Sequence, residues 1–536
     1  MADVKLPIDK FSKDANGAIA FEIKVASSEY TGKLSEDGKA IEGEWKQNGA
    51  ALPLTFYRPG YEALRKQLPP VKRGQLTMTP CGPAFHEENE LCGSYEVFED
   101  RAARSGRKIS LNVHLLPALS PTPLPDPVIA LAGGPGQSAV QAYPVSGIIQ
   151  KLRTQRDVVL IDQRGAGKSN PLACDGLFDA AQSAFDDMPV IEKLKACRDK
   201  LTKVADLNLY STEIAMDDVD EVRQALGYDR VNVFGASYGT TAALVYLNRH
   251  GNHARTLTLK GVAPLDYKLP LPFAKAVQSS LEFLFHACAA DAECSADYPN
   301  LRGAFTTALK QFDKGPVTVS VMNLATKSNE NIKLTEAAFV SQLRVLLYVP
   351  DAVGEIPLMI QLASQGNFTL FATVVKSLAD AIGGTMSIGM ELSIICSEDV
   401  PFITDAEIKA ETAGTWMGAQ PVRETQKVCS MWDVRKAPDS FLKPVSSAVP
   451  VLILSGDYDP ATPPSIAERI MPYLPNSRHV VLKNSTHGSE SPCINGLVGA
   501  FVDAGSATDI DVSCAATGKF PAFLTKAKLK SMTGGK

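Results

Sequence analysis

Four stretches of this chain are almost purely apolar, rich in β-branched residues, and closed by a turn. They are Val128-Ile129-Ala130-Leu131-Ala132 before Gly133, Val231-Asn232-Val233-Phe234 before Gly235, Val451-Leu452-Ile453-Leu454 before Ser455-Gly456, and His479-Val480-Val481-Leu482 before Lys483-Asn484. Such runs read as strands buried on both faces, the pattern of a parallel sheet. A helix-compatible run from Thr240 to His250 follows the second. The first 70 residues differ. There Ala18–Val25, Tyr30–Leu34, Ile41–Trp45 and Leu52–Phe56 are short alternating segments, with a turn at Ser35-Glu36-Asp37-Gly38-Lys39. That alternation predicts a small β-meander. Between the second and third apolar runs, Phe273–Cys288, Leu334–Tyr348 and Ala406–Ala413 carry helical apolar spacing.

These patterns divide the 536 residues into four parts: a β-rich segment at 1–70, an α/β core at 71–265, a mainly helical insertion at 266–444, and the return of the core at 445–536. Proline-rich stretches, Leu265–Pro272 and Lys436–Pro450, mark the exit and the return. The insertion is expected to cap whatever site the core carries.

Chemistry-bearing residues stand just past the ends of these strands, where open α/β sheets place their sites. Ser237 lies in Gly235-Ala236-Ser237-Tyr238-Gly239, a G-x-S-x-G between a strand and a helix, the setting of a nucleophile elbow. His487 follows the last strand. An acid to orient it comes from Asp457 or Asp459, both in the turn after Leu454. Acyl transfer also needs donors for a developing oxyanion. The Tyr238 N–H, next to the nucleophile, is one; the other comes from the glycine loop 133–136, assigned to Gly134 with the choice of glycine left open. Gly167-Lys168-Ser169 resembles the end of a phosphate-binding loop, but Asp162 stands where that motif needs glycine. Asp162 and Arg164 are expected to form a structural pair. No HExxH, no CxxC pair and no histidine cluster points to a metal, and no cofactor is expected. His250 and His253 read as surface residues.

Gly133-Gly134-Pro135-Gly136, Asp162-Gln163-Arg164-Gly165, Gly235-Ala236-Ser237-Tyr238-Gly239-Thr240 and Gly456-Asp457-Tyr458-Asp459-Pro460 occur in an order and spacing that resemble the secreted α/β-hydrolases of the prolyl iminopeptidase and tripeptidyl aminopeptidase family, including its C-terminal region. The resemblance covers roughly residues 75 to 515. It implies an α/β-hydrolase fold, a mostly parallel doubly wound sheet, with a triad of Ser237, Asp459 and His487 in the family's chain order. It also favours Asp459, the acid before proline, over Asp457. Prolyl iminopeptidases usually have His before the glycine loop and Trp after the nucleophile; Ala132 and Tyr238 stand here instead, closer to the tripeptidyl aminopeptidase branch.

Composition narrows the setting. The net charge of −5 is spread along the chain, so neither nucleic acid nor an anionic membrane is an expected partner, and no apolar run is long enough to span a bilayer. The opening Met1-Ala2-Asp3-Val4-Lys5 has no apolar leader and reads as a start placed on a mature sequence. Ten cysteines fall in close couples: Cys81/Cys92, Cys174/Cys197, Cys288/Cys294, Cys396/Cys429 and Cys493/Cys514. That points to disulfides and a secreted or periplasmic location. The expected activity is an aminopeptidase releasing short peptides or single residues from N-termini through an acyl-enzyme on Ser237. Its substrate's ammonium is assigned to Glu398 or Asp399 in the insertion. The alternative is an esterase or amidase of small acyl compounds using the same triad. A catalytically dead binding module is disfavoured because no triad or oxyanion element is missing. Oligomeric state is not legible in the sequence.

Overall fold

The computed structural model describes residues 8, 10–14, 18–23, 28–35, 40–47, 50–57, 69–81, 89–143, 147–174, 185, 191–323, 328–383 and 385–532. It contains two compact units: Met1–Val71 with Thr79–Asn89, and the rest of the chain.

The smaller unit holds an antiparallel sheet in sequential order, β1 (Lys10–Lys13), β2 (Ala18–Ile23), β3 (Ser28–Leu34), β4 (Ala40–Gln47) and β5 (Ala50–Tyr57). Alternation places Phe21, Tyr30, Trp45 and Phe56 together, with Phe21 and Phe56 ring centroids 5.0 and 4.9 Å from Tyr30. The buried Tyr30 hydroxyl donates to the Ile41 carbonyl at 2.9 Å. This is the meander that the alternation predicts. Strand β1, Lys-Phe-Ser-Lys with every residue exposed, has no apolar alternation to reveal it.

Beyond that sheet the chain first lays down β6 (Val71–Arg73), β7 (Leu76–Pro80), β8 (Leu91–Phe98), β9 (Lys108–Leu116), β10 (Leu124–Leu131), β11 (Arg156–Ile161), β12 (Val231–Ala236) and β13 (Ala254–Lys260). The insertion contributes a hairpin, β14 (Val317–Asn323) and β15 (Ser328–Leu334), and β16 (Val451–Gly456) and β17 (Ser477–Leu482) follow it. The ten-stranded sheet runs β17-β16-β13-β12-β10-β11-β9-β8-β7-β6. From β11 to β17 neighbouring strands are parallel; β9 pairs antiparallel with both β11 and β8. All six residues of β11 and of β16 are buried, as expected of strands covered on both faces. Strand β10 has β11 on one side and β12 on the other, so the chain order reverses there and opens a crevice at the strand C-termini. The glycine loop and Ser237 both sit at that crevice.

Helices cover the sheet. Among them α1 (Thr212–Leu226) is capped by the Ser211 side chain and ends at Gly227 in the left-handed region, φ 86°. Helix α2 (Tyr238–His250) starts directly from β12. The insertion brings α3 (Phe273–Ala290), α4 (Leu301–Lys310), α5 (Glu336–Tyr348), α6 (Ile356–Ser364), α7 (Thr369–Gly383), α8 (Ile388–Ile394), α9 (Asp405–Thr412) and α10 (Gln420–Trp432), and α11 (Pro492–Ala504) closes the core. Most of these insertion helices pack in a second apolar cluster around Phe305, Phe339, Phe368 and Phe371. The insertion is therefore mainly helical, but with a β-hairpin inside. Leu334 ends β15 rather than opening a helix. Thr335 is the cap, its side chain accepting the Ala338 N–H at 3.1 Å, and α5 begins at Glu336.

The cysteine couples 174/197, 288/294, 396/429 and 493/514 are disulfides, and no described cysteine is free. No described helix is long and apolar enough to cross a membrane.

Candidate active site

The turn from β12 into α2 forces Ser237 into φ 56°, ψ −128°, a conformation that side-chain-bearing residues rarely adopt and that persists only where surroundings impose it. What imposes it is a tight frame. The Ser237 N–H donates to the Lys260 carbonyl on β13 at 2.9 Å, and its own carbonyl accepts from the Thr240 N–H at 2.8 Å and hydroxyl at 2.6 Å. The glycine loop lies against it: a Cβ on Gly133 would stand 3.1 Å from the Ser237 Cβ. Gly134 has φ 105°, open only to glycine at low cost. Among the described residues, neither the Gly134 nor the Tyr238 N–H donates to a protein acceptor.

Asp459 is buried in the turn after β16, and His487 follows β17. Their side chains meet, His487 Nδ1 to Asp459 Oδ2, at 2.8 Å. Asp459 also accepts the Ala461 and Thr462 N–H groups at 2.8 Å each and the Thr462 hydroxyl at 2.8 Å. Burial alone would raise its pKa; the field and hydrogen bond of His487 and the two backbone donors outweigh burial and hold it below the ordinary carboxylate range. Asp457 points elsewhere. It accepts the Ser485 N–H at 3.2 Å and stands 3.8 Å from Lys483 Nζ. The Tyr348 ring from α5 lies 4.7 Å from the imidazole, centroid to centroid.

Ser237 and His487 line one cavity of about 620 Å³ with Gly134, Tyr238, Lys260 and Glu391. The insertion forms much of its wall through Phe273, Arg344, Tyr348, Met386 and Ile395. A larger cavity of about 870 Å³, between β8 and α1, contains none of the candidate triad, and its charges pair among themselves, Arg101 with Asp218 and Glu221. The smaller cavity is where the candidate chemistry lies.

Three expectations need correction. First, Glu398 and Asp399 do not line that cavity. Glu398 is 2% exposed and accepts the Thr212 N–H at 2.7 Å and hydroxyl at 2.5 Å at the start of α1. Asp399 accepts the Leu269 N–H at 3.0 Å. Burial pushes their pKa values up to about 8 and about 7. Second, Asp162 and Arg164 do not pair with each other. Asp162 binds the Ser138 hydroxyl at 2.6 Å and the Val140 N–H at 3.2 Å, just beyond the glycine loop. Arg164 donates to both Asp218 oxygens, at 2.6 and 2.9 Å. Third, His250 and His253 are half-buried rather than surface residues. Their ring nitrogens gather within 4.8 Å of one another around Asp220, although the Arg223 guanidinium already donates to both Asp220 oxygens.

Sequence reasoning missed Glu391, Lys260 and Thr462. Glu391 comes from α8 in the insertion; burial raises its pKa to about 7, with Arg344 opposing. Thr462 bridges the pair, its hydroxyl 2.8 Å from Asp459 and 3.1 Å from His487 Nδ1.

Comparison with known proteins adds the family. Residues 126–282 match the family model of the alpha/beta hydrolase fold, and residues 415–514 match that of TAP-like proteins. The chain is an α/β-hydrolase. The hydrolase is 23% identical to the Escherichia coli (strain K12) protein YuaR over 63% of this chain and 68% of that one. It is 31% identical to a proline iminopeptidase of Xylella fastidiosa (strain 9a5c), over 25% of this chain and 32% of the relative. The chain thus spans about a third of the proline iminopeptidases that it matches. A solved proline iminopeptidase from Mycobacterium smegmatis aligns over 77% of the hydrolase and 98% of its own length, at 16% identity and a TM-score of 0.39.

Proposed function

We propose that this hydrolase is an aminopeptidase for short peptides, working through an acyl-enzyme on Ser237 in an oxidising compartment outside the cytoplasm. His487 takes the Ser237 proton as the hydroxyl attacks the scissile carbonyl, then gives it to the leaving amine; water reverses the sequence to free the acyl group. Asp459 accepts the Nδ1–H and so fixes the tautomer. The Gly134 and Tyr238 N–H groups receive the oxyanion. The paired cysteines support the compartment.

The observation that carries the peptidase reading is Glu391. Glu391 lines the same cavity as Ser237, and its carboxyl has no hydrogen-bond partner among the described residues. A substrate ammonium would supply one. The apolar remainder of the wall, Phe234, Phe273, Leu269 and Val345, also suits a small acyl ester or amide, which is the second reading.

Glu391→Gln tests the first. Loss of a charge partner for a desolvated ammonium typically costs roughly 2–5 kcal/mol, so kcat/KM on free-amine peptides should fall about 30-fold or more, with uncharged esters much less affected. The carboxyl must be ionised to attract the cation. Because its pKa stands at about 7, the peptide-to-ester ratio of kcat/KM should fall as pH drops through that value and should be flat with pH in the variant. Equal rates on N-acetylated and free peptides by the unmodified enzyme would transfer the reading to an esterase or amidase.

A further inference from the structure

Strand β13 ends on a lysine that this mechanism does not use. The Lys260 backbone holds the nucleophile through the Ser237 N–H, and the residue is among those lining the cavity that Ser237 and His487 share. The ammonium makes one hydrogen bond, to the His487 carbonyl at 3.3 Å. An ammonium carries three donors, so two are unmatched among the described residues. No carboxylate lies within ion-pair distance of it among the described residues. Burial lowers its pKa, with Glu490 and Asp459 opposing; a desolvated cation of this kind gains from any anion brought to it.

The position of the cation decides which part of a substrate it meets. His487 protonates the leaving amine, so substrate atoms near His487 belong to the leaving part. In a single leaving amino acid, the carboxylate is one carbon from that amine. Glu391 meanwhile lines the cavity from the insertion, on α8, whereas Lys260 comes from the core sheet. Lys260 and Glu391 thus bring opposite charges to one cavity from different elements, with Arg344 and Glu490 also on its wall.

We propose that Lys260 is a specificity residue that receives a carboxylate on the leaving part of the substrate, the free α-carboxylate of a short peptide enclosed whole in the cavity. This rests on the aminopeptidase reading above and narrows it: the enzyme selects di- and tripeptides with both ends free rather than trimming long chains. A cavity of about 620 Å³ is in the range of small-molecule sites and has room for only a few residues.

The test compares kcat/KM on matched short peptides that end in a free acid or in an amide, each with a free or an acetylated amine. The unmodified enzyme should prefer the free acid at least 10-fold. Lys260→Met should bring that acid-to-amide ratio to within about 2-fold of one, and Lys260→Arg should retain a preference. The ratio is its own control, because a merely structural role in holding the His487 loop would slow both members of a pair alike and preserve it. A ratio near one in the unmodified enzyme, or a ratio preserved in Lys260→Met, overturns the proposal. A preference seen only when an amidated leaving residue carries an aspartyl side chain would also overturn it, by assigning Lys260 to side chains. The acetylated pair reports separately on the amine: if acetylation makes no difference, the aminopeptidase reading fails whatever the acid-to-amide ratio shows.

Discussion

Two aspartates separated by one residue differ in everything that matters for orienting an imidazole. Asp459 reaches His487 Nδ1 at 2.8 Å and is held by two backbone donors and a threonine hydroxyl; Asp457 serves the Ser485 backbone. Asp459→Asn should therefore lower kcat by about 10⁴, the scale of tautomer loss in serine triads, and Asp457→Asn by far less. Steady-state kinetics on one ester substrate would check this, and the reverse order would reassign the acid. The family resemblance pointed to Asp459 through the proline that follows it. Nothing in the sequence pointed to Thr462, because a hydroxyl bridging two groups 28 residues apart is a product of the fold. The Glu398 and Asp399 assignment failed for a similar reason. An acidic pair beside a cysteine looks exposed on paper, yet Glu398 caps α1 at Thr212, 186 residues away in sequence. Glu391, four residues before Ile395, was hidden in an apolar run.

At the scale of elements, the apolar runs of β10, β12 and β16 were legible because burial on both faces leaves no alternation to confuse them; β17 also falls where its run lies, but as the edge strand it is half-buried rather than covered on both faces. The hairpin of β14 and β15 was not, because its second strand, Ser328-Asn329-Glu330-Asn331-Ile332-Lys333-Leu334, is mostly polar. Two residues of the loop after β11 have distinct tasks that the sequence ran together. Asp162 ties the end of β11 to Ser138 and Val140, and so positions the glycine loop; Arg164 joins the same loop to α1 through Asp218. Asp162→Ala should lower kcat toward the roughly 10²-fold loss of a missing oxyanion donor. Asp218→Ala, which leaves a buried guanidinium without its partner, should instead cost roughly 3–5 kcal/mol of stability. Denaturant unfolding and kinetics on both variants separate the two; a kcat loss confined to Asp218→Ala would reverse the roles.

Across the whole molecule, one sheet carries every group that the proposed reaction needs, and the insertion supplies Glu391 and the wall that encloses it. The strand ends bring together residues 133–136, 237, 260, 459 and 487, a convergence that chain order implies but only the β11-β10-β12-β13-β16-β17 order of the sheet realises. The central claim is that a single serine becomes acylated. Intact mass after treatment with a fluorophosphonate tests it most directly. The unmodified chain should gain one adduct, mapped by peptide digestion to Ser237, and Ser237→Ala should gain none while it keeps its fold and loses hydrolysis of peptides and esters alike. An adduct retained in Ser237→Ala, or undiminished hydrolysis by it, would contradict the account.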